Sequence, residues 1–575
     1  MGPRIRRKLS ALEPMLVSTP PVRQAPSVSS LQTPLPGFAA ALQRQMLEAI
    51  PGQASTLRER QNLNRLYQPG DYVALWLDAA GKPTAGARDA LKLLAAAAAE
   101  GLQPADYRAA ELTALATKLL AATALVEHQA VDFDIAMSLS TMRYLRHLHF
   151  GRVDPRVLGF RVRASADEVD IAGLLRAALT AQRVKEMGVE LTPPLAQYRS
   201  MRAQLARYRL LAADQSLVAL PPRFATVRPG SRYAGLGALQ RWLLALGDLP
   251  ADALAPAGSD VYAGAIVAAV QRFQLRHGLV ADGVIGKRTQ TALAVSLAVR
   301  VRQIELALER LRWLPELGKR PLVAVNIPMF RLWALDSVSS GAVPLVDMRI
   351  IVGHALNTRT PVFIDEMRYL IFRPYWNVPR SILRDEVLPA LAQNPHHLGE
   401  QDMEIVRGWS DTAHPVAATE NNLERLKQGL LRVRQRPGPR NALGLVKFVF
   451  PNDNNVYMHG TPEPELFSRT RRDFSHGCVR LEDPVALAEW VLKDQPQWTR
   501  ERIVAAMSGD KSLQVQLIRP IQVILFYVTA AVMPSDGTIH FAEDIYGHDK
   551  KLAARLGLDR GRVSNGETGR PMPQR

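Results

Sequence analysis

The chain contains one cysteine, Cys478, set in Phe474-Ser-His-Gly-Cys-Val-Arg-Leu481, and nineteen residues upstream stands His459, in Val456-Tyr-Met-His-Gly-Thr461. A free thiol, with a pKa of about 8.5, is mostly protonated at neutral pH and needs a base or a positive field to act as a nucleophile. An imidazole at a strand end, facing the cysteine across a short connecting loop, supplies that base. Gly477 lets the main chain approach a reacting carbonyl closely. The N–H groups of Gly477 and Cys478 are therefore candidates for an oxyanion hole. Taken singly, a free cysteine reads as a small buried hydrophobe and a His-Gly pair as a strand end. The whole constellation favours an activated cysteine nucleophile. The twelve histidines show no ligand pair at metal-binding spacing near a carboxylate, so neither metal nor cofactor is expected.

Such a pair needs strands and a turn to hold it, and the surrounding sequence predicts both. From residue 320 the hydrophobic period is two: Val323, Val325, Ile327; Met348, Ile350, Val352; Val446, Phe448, Phe450. Residues 320–505 are read as a β-rich domain. Mixed helical and polar sequence at about 384–440 interrupts it and is read as a lid over one edge of the site. Its run Arg432, Arg434, Arg436 and Arg440 is either a solvated face or a substrate contact.

At 575 residues the chain has room for three or four domains of about 150 residues each. Hydrophobic residues at 47% and charged residues at 22% exclude a wholly disordered or fibrous protein. A single cysteine excludes a disulfide framework. Lys plus Arg exceed Asp plus Glu by 72 − 54 = 18, which favours an anionic partner such as nucleic acid, a membrane face or an acidic wall polymer. No apolar run reaches membrane-spanning length; Val523–Met533 is short, β-branched and read as a buried strand.

Residues 1–36, rich in Pro and Ser, are expected to be a disordered basic arm. Residues 37–225 read as a helical scaffold, with Ile135, Leu139, Met142, Leu145 and Leu148 on one helix face and a stop at Gly151-Arg-Val-Asp-Pro155. Between 231 and 297, Leu239-Gln-Arg-Trp and Val270-Gln-Arg-Phe form a weak repeat of two short helices closed by Gly247 and Gly278. Lys287-Arg-Thr289 does not fit a phosphate loop. Residues 298–318 read as a linking helix striped by Val301, Ile304, Leu308 and Leu311. Residues 506–555 read as an extension packing on the scaffold or the catalytic domain, and 556–575 as a flexible tail. The fold class is thus multidomain α+β.

Phe273, Gln274, Gly278, Leu279, Asp282, Gly283, Gly286, Thr289 and Leu293 resemble the pattern of a small helical peptidoglycan-binding module. His459-Gly460, Ser475-His-Gly-Cys478 and Arg480 resemble the signature of the YkuD-type L,D-transpeptidases. Leu311-Arg-Trp-Leu-Pro315, Val352-Gly353, Thr360-Pro361, Tyr375-Trp-Asn-Val-Pro379, Leu466-Phe467 and Asp544-Ile-Tyr-Gly-His-Asp549 are similar to the long, multidomain branch of Gram-negative envelopes. Phe150-Gly-Arg-Val-Asp154 resembles part of that branch's amino-terminal scaffold. The resemblance covers nearly everything after residue 37 and is strongest from 320 to 550.

The resemblance implies that Cys478 attacks the third-residue carbonyl of a peptidoglycan tetrapeptide stem, expels D-alanine, and passes the acyl group to the diaminopimelate amine of a second stem. His459 is the implied base, oriented by the Gly460 carbonyl in the third place of the triad. Tyr457, Trp376, Asn377, Ser475 and His476 are the implied substrate contacts, with Trp376 equally readable as core and His476 as a partner that shapes the loop. Arg480 binds a substrate carboxylate or pairs with Glu482 or Asp483. Water as acceptor would make a carboxypeptidase, and a lipoprotein lysine a linking enzyme. A non-catalytic wall-binding scaffold is the reading from another class. Carbapenem-type β-lactams are expected to acylate Cys478. No recognised module supports nucleic-acid binding. Peripheral association with the envelope and contact with other wall-synthesis proteins are compatible partners. The implied location is the periplasm, although no export signal is legible. Arg4, Arg6, Arg7 and Lys8 suit the charged start of one, but Glu13, Pro14 and Pro20 interrupt the apolar stretch that should come next, pointing to a trimmed or mis-assigned start.

Overall fold

The computed structural model describes residues 35, 37–47, 57–124, 126–162, 169–217, 220, 225–253, 260–315, 317, 320–337, 343–356 and 358–558. The expected arm, apart from Leu35, and the tail beyond residue 558 lie outside the described residues. The chain divides into two compact units. The first takes residues up to Leu91, Glu111–Met142 and Asp170–Met187; the second takes Lys92–Ala110, Arg143–Val169 and everything from Gly188. The helical region 37–225 is thus shared between them. Among the described residues no helix is long and apolar enough to cross a membrane.

The first unit is helical and carries a polar knot in its core. The Asp134 carboxylate accepts hydrogen bonds from Tyr67 Oη at 2.6 Å and from the Leu75 and Trp76 amides, while Trp76 Nε1 donates to Ser138 at 2.8 Å. Burial pushes the Asp134 carboxyl up to about 6 despite these donors. The helix over Glu127–Phe150 ends, as its sequence predicts, before Gly151, whose φ is +83°.

In the second unit, helices Leu236–Leu246 and Ala265–Arg276 end at left-handed Gly247 and Gly278. The motif residues between 273 and 293 bond mainly to one another. The Gln274 amide donates to Asp282 and Thr289 side chains and to the Val284 carbonyl, and its Oε1 accepts from the Gly283 amide. That side chain therefore ties the loop to two helices. Helix Leu297–Arg312, capped by Ser296, buries Ile304, Leu308 and Leu311 against Tyr198 and Leu205 of helix Ala196–Ala213.

Among the described residues fifteen strands come next in the chain: β1 (Leu322–Asn326), β2 (Arg331–Leu335), β3 (Val346–Gly353), β4 (Phe363–Phe372), β5 (Trp376–Asn377), β6 (Met403–Val406), β7 (Pro415–Val416), β8 (Arg432–Gln435), β9 (Val446–Val449), β10 (Met458–His459), β11 (Asp473–Ser475), β12 (Val479–Leu481), β13 (Leu513–Phe526), β14 (Ala530–Val532) and β15 (Ile539–Phe541). Nine form one sheet in the order β11-β3-β12-β10-β9-β4-β13-β1-β2, and a β2–β3 pairing closes it on itself. Its interior is the alternation seen in the sequence: Val323, Val325, Ile350, Val352, Val446, Phe448, Met458 and Val479 are fully buried. The segment read as an extension supplies β13, which lies between β4 and β1. The apolar run from Val523 is split between the end of β13 and β14. β13 shifts register between Gln516 and Ile521, where Pro520 has no amide to offer the ladder.

The segment read as a lid is a subdomain with its own core. β5-β8-β6-β7 form a small sheet, and Ile382, Leu383, Val387, Leu391, Ile405, Leu426 and Val433 pack together. It begins at Trp376, earlier than the sequence break at 384. Its arginine run is engaged internally, although Arg436 and Arg440 keep more than half of their side-chain surface exposed. Arg434 pairs with Glu404 and three loop carbonyls, Arg436 and Arg440 pair with Asp402, and Arg432 donates to Asn377 and the Gly408 carbonyl.

Candidate active site

Three neighbouring strands bring the reactive residues together. β10 runs parallel to β12 with Met458 opposite Val479 and His459 opposite Arg480; β9 runs antiparallel to β10 with Lys447 opposite His459. Paired residues project from the same face of a sheet, and residues two apart on a strand share a face. Val446, Phe448, Met458, Val479 and Leu481 take the inner face because they are apolar. The alternate positions, Lys447, Tyr457, His459, Cys478 and Arg480, are left on the other. The parallel register sets Cys478 level with Tyr457, whose carbonyl accepts from the Val479 amide at 3.1 Å.

His459 is buried, 4% exposed, and its Nδ1 lies 2.6 Å from the Gly460 carbonyl. A carbonyl only accepts, so Nδ1 carries the hydrogen and Nε2 is left as the basic nitrogen. Burial, with the cations of Arg480 and Lys447, drives the imidazole down to about 3, so it is neutral at physiological pH. Burial also pushes the Cys478 thiol up, opposed by hydrogen bonds from Tyr457 and by the charges of Lys447 and Arg480. Its Sγ–H points to the Asn455 carbonyl at 3.9 Å.

The turn that carries Cys478 is held from behind. Gly477 has φ +115°, a conformation favouring glycine. Its carbonyl accepts from Thr360 Oγ1 at 2.8 Å, and that hydroxyl accepts from the Gly353 amide at 2.8 Å. Tyr546 Oη donates to the Gly353 carbonyl at 2.6 Å and accepts from the Thr360 amide. The Tyr546 amide in turn donates to Tyr527 Oη, which donates to Asp544. Val352-Gly353, Thr360-Pro361 and Asp544-Ile-Tyr-Gly-His-Asp549 therefore converge on one turn.

Several predicted site residues sit differently from expectation. Ser475, expected at the substrate, is 3% exposed and closes the turn: its hydroxyl donates to the Cys478 carbonyl and accepts from the Gly477 amide at 3.2 Å. The Gly477 amide, expected in an oxyanion hole, is thus engaged locally. Arg480 pairs with Glu463, not with Glu482 or Asp483; Glu482 binds Arg349, and Asp483 caps the helix Pro484–Val491. His476 Nε2 meets Glu386 Oε1 at 2.7 Å, tying the turn to the subdomain. Trp376 is half-buried and hydrogen-bonds the Tyr457 side chain, and Asn377 accepts from Arg432.

Sequence reasoning missed Lys447. Its ammonium lies 3.7 Å from the centre of the Tyr457 ring, and it senses Cys478 electrostatically. The available signal was its odd position between Val446 and Phe448, which sends it to the face opposite the core. Among the described residues no cluster of His, Cys, Asp and Glu could hold a metal ion.

Residues 61–205 match the "Scaffold domain" model, 232–293 the "Putative peptidoglycan binding domain" model and 320–504 the "L,D-transpeptidase catalytic domain" model. A Haemophilus influenzae protein described as "Putative L,D-transpeptidase" is 30% identical over 251 residues, 44% of this chain and 49% of that protein. The chain thus spans about half the length of that relative. The crystal structure of an L,D-transpeptidase from Xylanimonas cellulosilytica aligns over 53% of this chain and 100% of its own at 18% identity, with a TM-score of 0.16, too low to carry a structural argument.

Proposed function

We propose, from the match of residues 320–504 to an L,D-transpeptidase catalytic domain behind matches to a scaffold domain and a peptidoglycan-binding domain, that the chain forms 3→3 cross-links in peptidoglycan through a Cys478 thioester. The observation that carries the reading is the shared sheet face of Cys478 and His459, with Nδ1 of His459 committed to the Gly460 carbonyl. Nε2 takes the thiol proton as Sγ attacks the carbonyl of the third stem residue. The tetrahedral oxyanion is met by main-chain N–H groups of the turn, chief among them that of Cys478. The carbonyl–nitrogen bond to D-alanine then breaks, and the proton passes from Nε2 to the departing amine. A second stem's side-chain amine attacks the thioester, its lost proton returns by way of His459 to Sγ, and the enzyme is regenerated. Tyr457 and Trp376 line the approach, with His476 and Glu386 bordering it. The substrate places the working enzyme at the cell envelope.

Purified disaccharide-tetrapeptide with the full chain tests this. The expected product is a dimer one D-alanine lighter than two monomers, absent with Cys478→Ala. Tripeptide alone would make the protein a carboxypeptidase. No product from either protein, with sacculus binding retained, would leave a wall-binding scaffold.

A further inference from the structure

We propose that Lys447 is a positioning residue for the nucleophile, its ammonium being the counter-charge of the Cys478 thiolate, while His459 stays a neutral imidazole in the resting enzyme. The proposal deepens the acyl-transfer reading of this site. Its geometric basis is the three-strand row Lys447–His459–Arg480, all on one face, with His459 between two cations. An imidazolium there would face a positive charge on each side, so a resting thiolate–imidazolium pair is opposed by the row itself. The two cations are not equivalent. Arg480 is matched by Glu463, whereas the Lys447 ammonium rests on the face of Tyr457, whose side chain also hydrogen-bonds Cys478.

Tyr457 thereby links the ammonium to the sulfur: one ring contacts the cation through its π face and the thiol through its edge group. Among the described residues few charged groups face Lys447. Asp411, from the loop of the subdomain, attracts it, and Cys478 does so once ionised. His459, paired across the strand, is neutral, and the Glu386–His476 pair lies on the turn beyond. In the free enzyme ionisation breaks the S–H bond, leaves the electron pair on Sγ and gives the proton to water; during acyl transfer the thiol proton goes instead to Nε2 of His459, which passes it to the departing amine. The balancing positive charge is already in place on Lys447.

Cys478 is the only cysteine in the chain, so alkylation by iodoacetamide reads this thiol alone. The rate is measured against pH on the full-length protein for wild type, Lys447→Met, Lys447→Gln, Lys447→Arg and His459→Gln. Both neutral Lys447 variants should move the inflection up by about one pH unit, cutting the rate at neutral pH about tenfold, and Lys447→Arg should restore most of it. His459→Gln should move it less. An unchanged inflection in Lys447→Gln, or a larger displacement in His459→Gln, overturns the proposal. Lys447→Gln serves where Lys447→Met does not fold. Because alkylation needs no stem peptide, its outcome is independent of whether the protein makes cross-links.

Discussion

Gly353 and Gly477 meet behind Cys478; Gly353 has no room for a larger residue, whereas Gly477 is constrained by its backbone, with φ +115°. A Cβ on Gly353 would lie 1.9 Å from the Thr358 carbonyl oxygen and 2.9 Å from the Gly477 Cα. Main-chain atoms cannot swing aside as a side-chain tip can, so the turn itself must move. Gly353→Ala is therefore expected to cost at least the ~1–3 kcal/mol typical of overpacking, and to slow alkylation of Cys478 by iodoacetamide. Chemical denaturation and the time course of the intact-mass adduct measure the two effects. Full stability with an unchanged adduct rate would show that the contact does not position the turn. At this scale Cys478, His459 and Gly477 were legible in the sequence because their residue types are chemically distinctive. The loop-closing work of Ser475 and the Glu463 partner of Arg480 were not, because a hydroxyl or a guanidinium fits several roles until its neighbours are known.

The long strand β13 carries the element-scale lesson. Every reactive residue and the whole catalytic-domain match end before residue 513, yet β13 is hydrogen-bonded on both sides, to β4 and β1. Removing it would expose two unpaired edges and open the closed sheet. A chain ending at residue 512 is expected to be insoluble or to lose its cooperative thermal transition. A soluble, cooperatively melting truncation would mean that β4 and β1 can pair directly. The β-branched apolar run from Val523 announced a strand, but no local pattern says which strands it lies between. The subdomain over residues 376–435 was legible as an interruption; its small sheet was not, since two-residue strands such as β5 and β7 are too short to show a period.

Across the whole molecule, buried titratable groups give the two units opposite responses to acid. In the second unit burial holds His147 and His459 down to about 3 and His548 to about 4. Their unfolded counterparts take up protons below about 6.5, so the unfolded state binds more protons and stability falls as pH drops from there toward 4. Asp134, in the first unit, is raised to about 6. Its native state binds the extra proton between about 6 and 4, so this group adds stability over the same range. Calorimetry or hydrogen exchange at pH 7 and pH 5 should show the second unit losing protection while the helices around Asp134 hold theirs. Equal loss in both units would contradict the assignment.

The sequence by itself determined the kinds of elements, the candidate nucleophile and base, and the family signatures. Those are local properties: an alternation of two, a glycine cap, a distinctive residue at a fixed spacing. Only the tertiary structure decided that Lys447, His459 and Arg480 form one row, that Glu386 reaches His476, and that Tyr546 supports a turn 69 residues before it. The reason is register. Which residue of one strand faces which residue of another depends on how the sheet closes around its core, and charges far apart along the chain become neighbours only when it does.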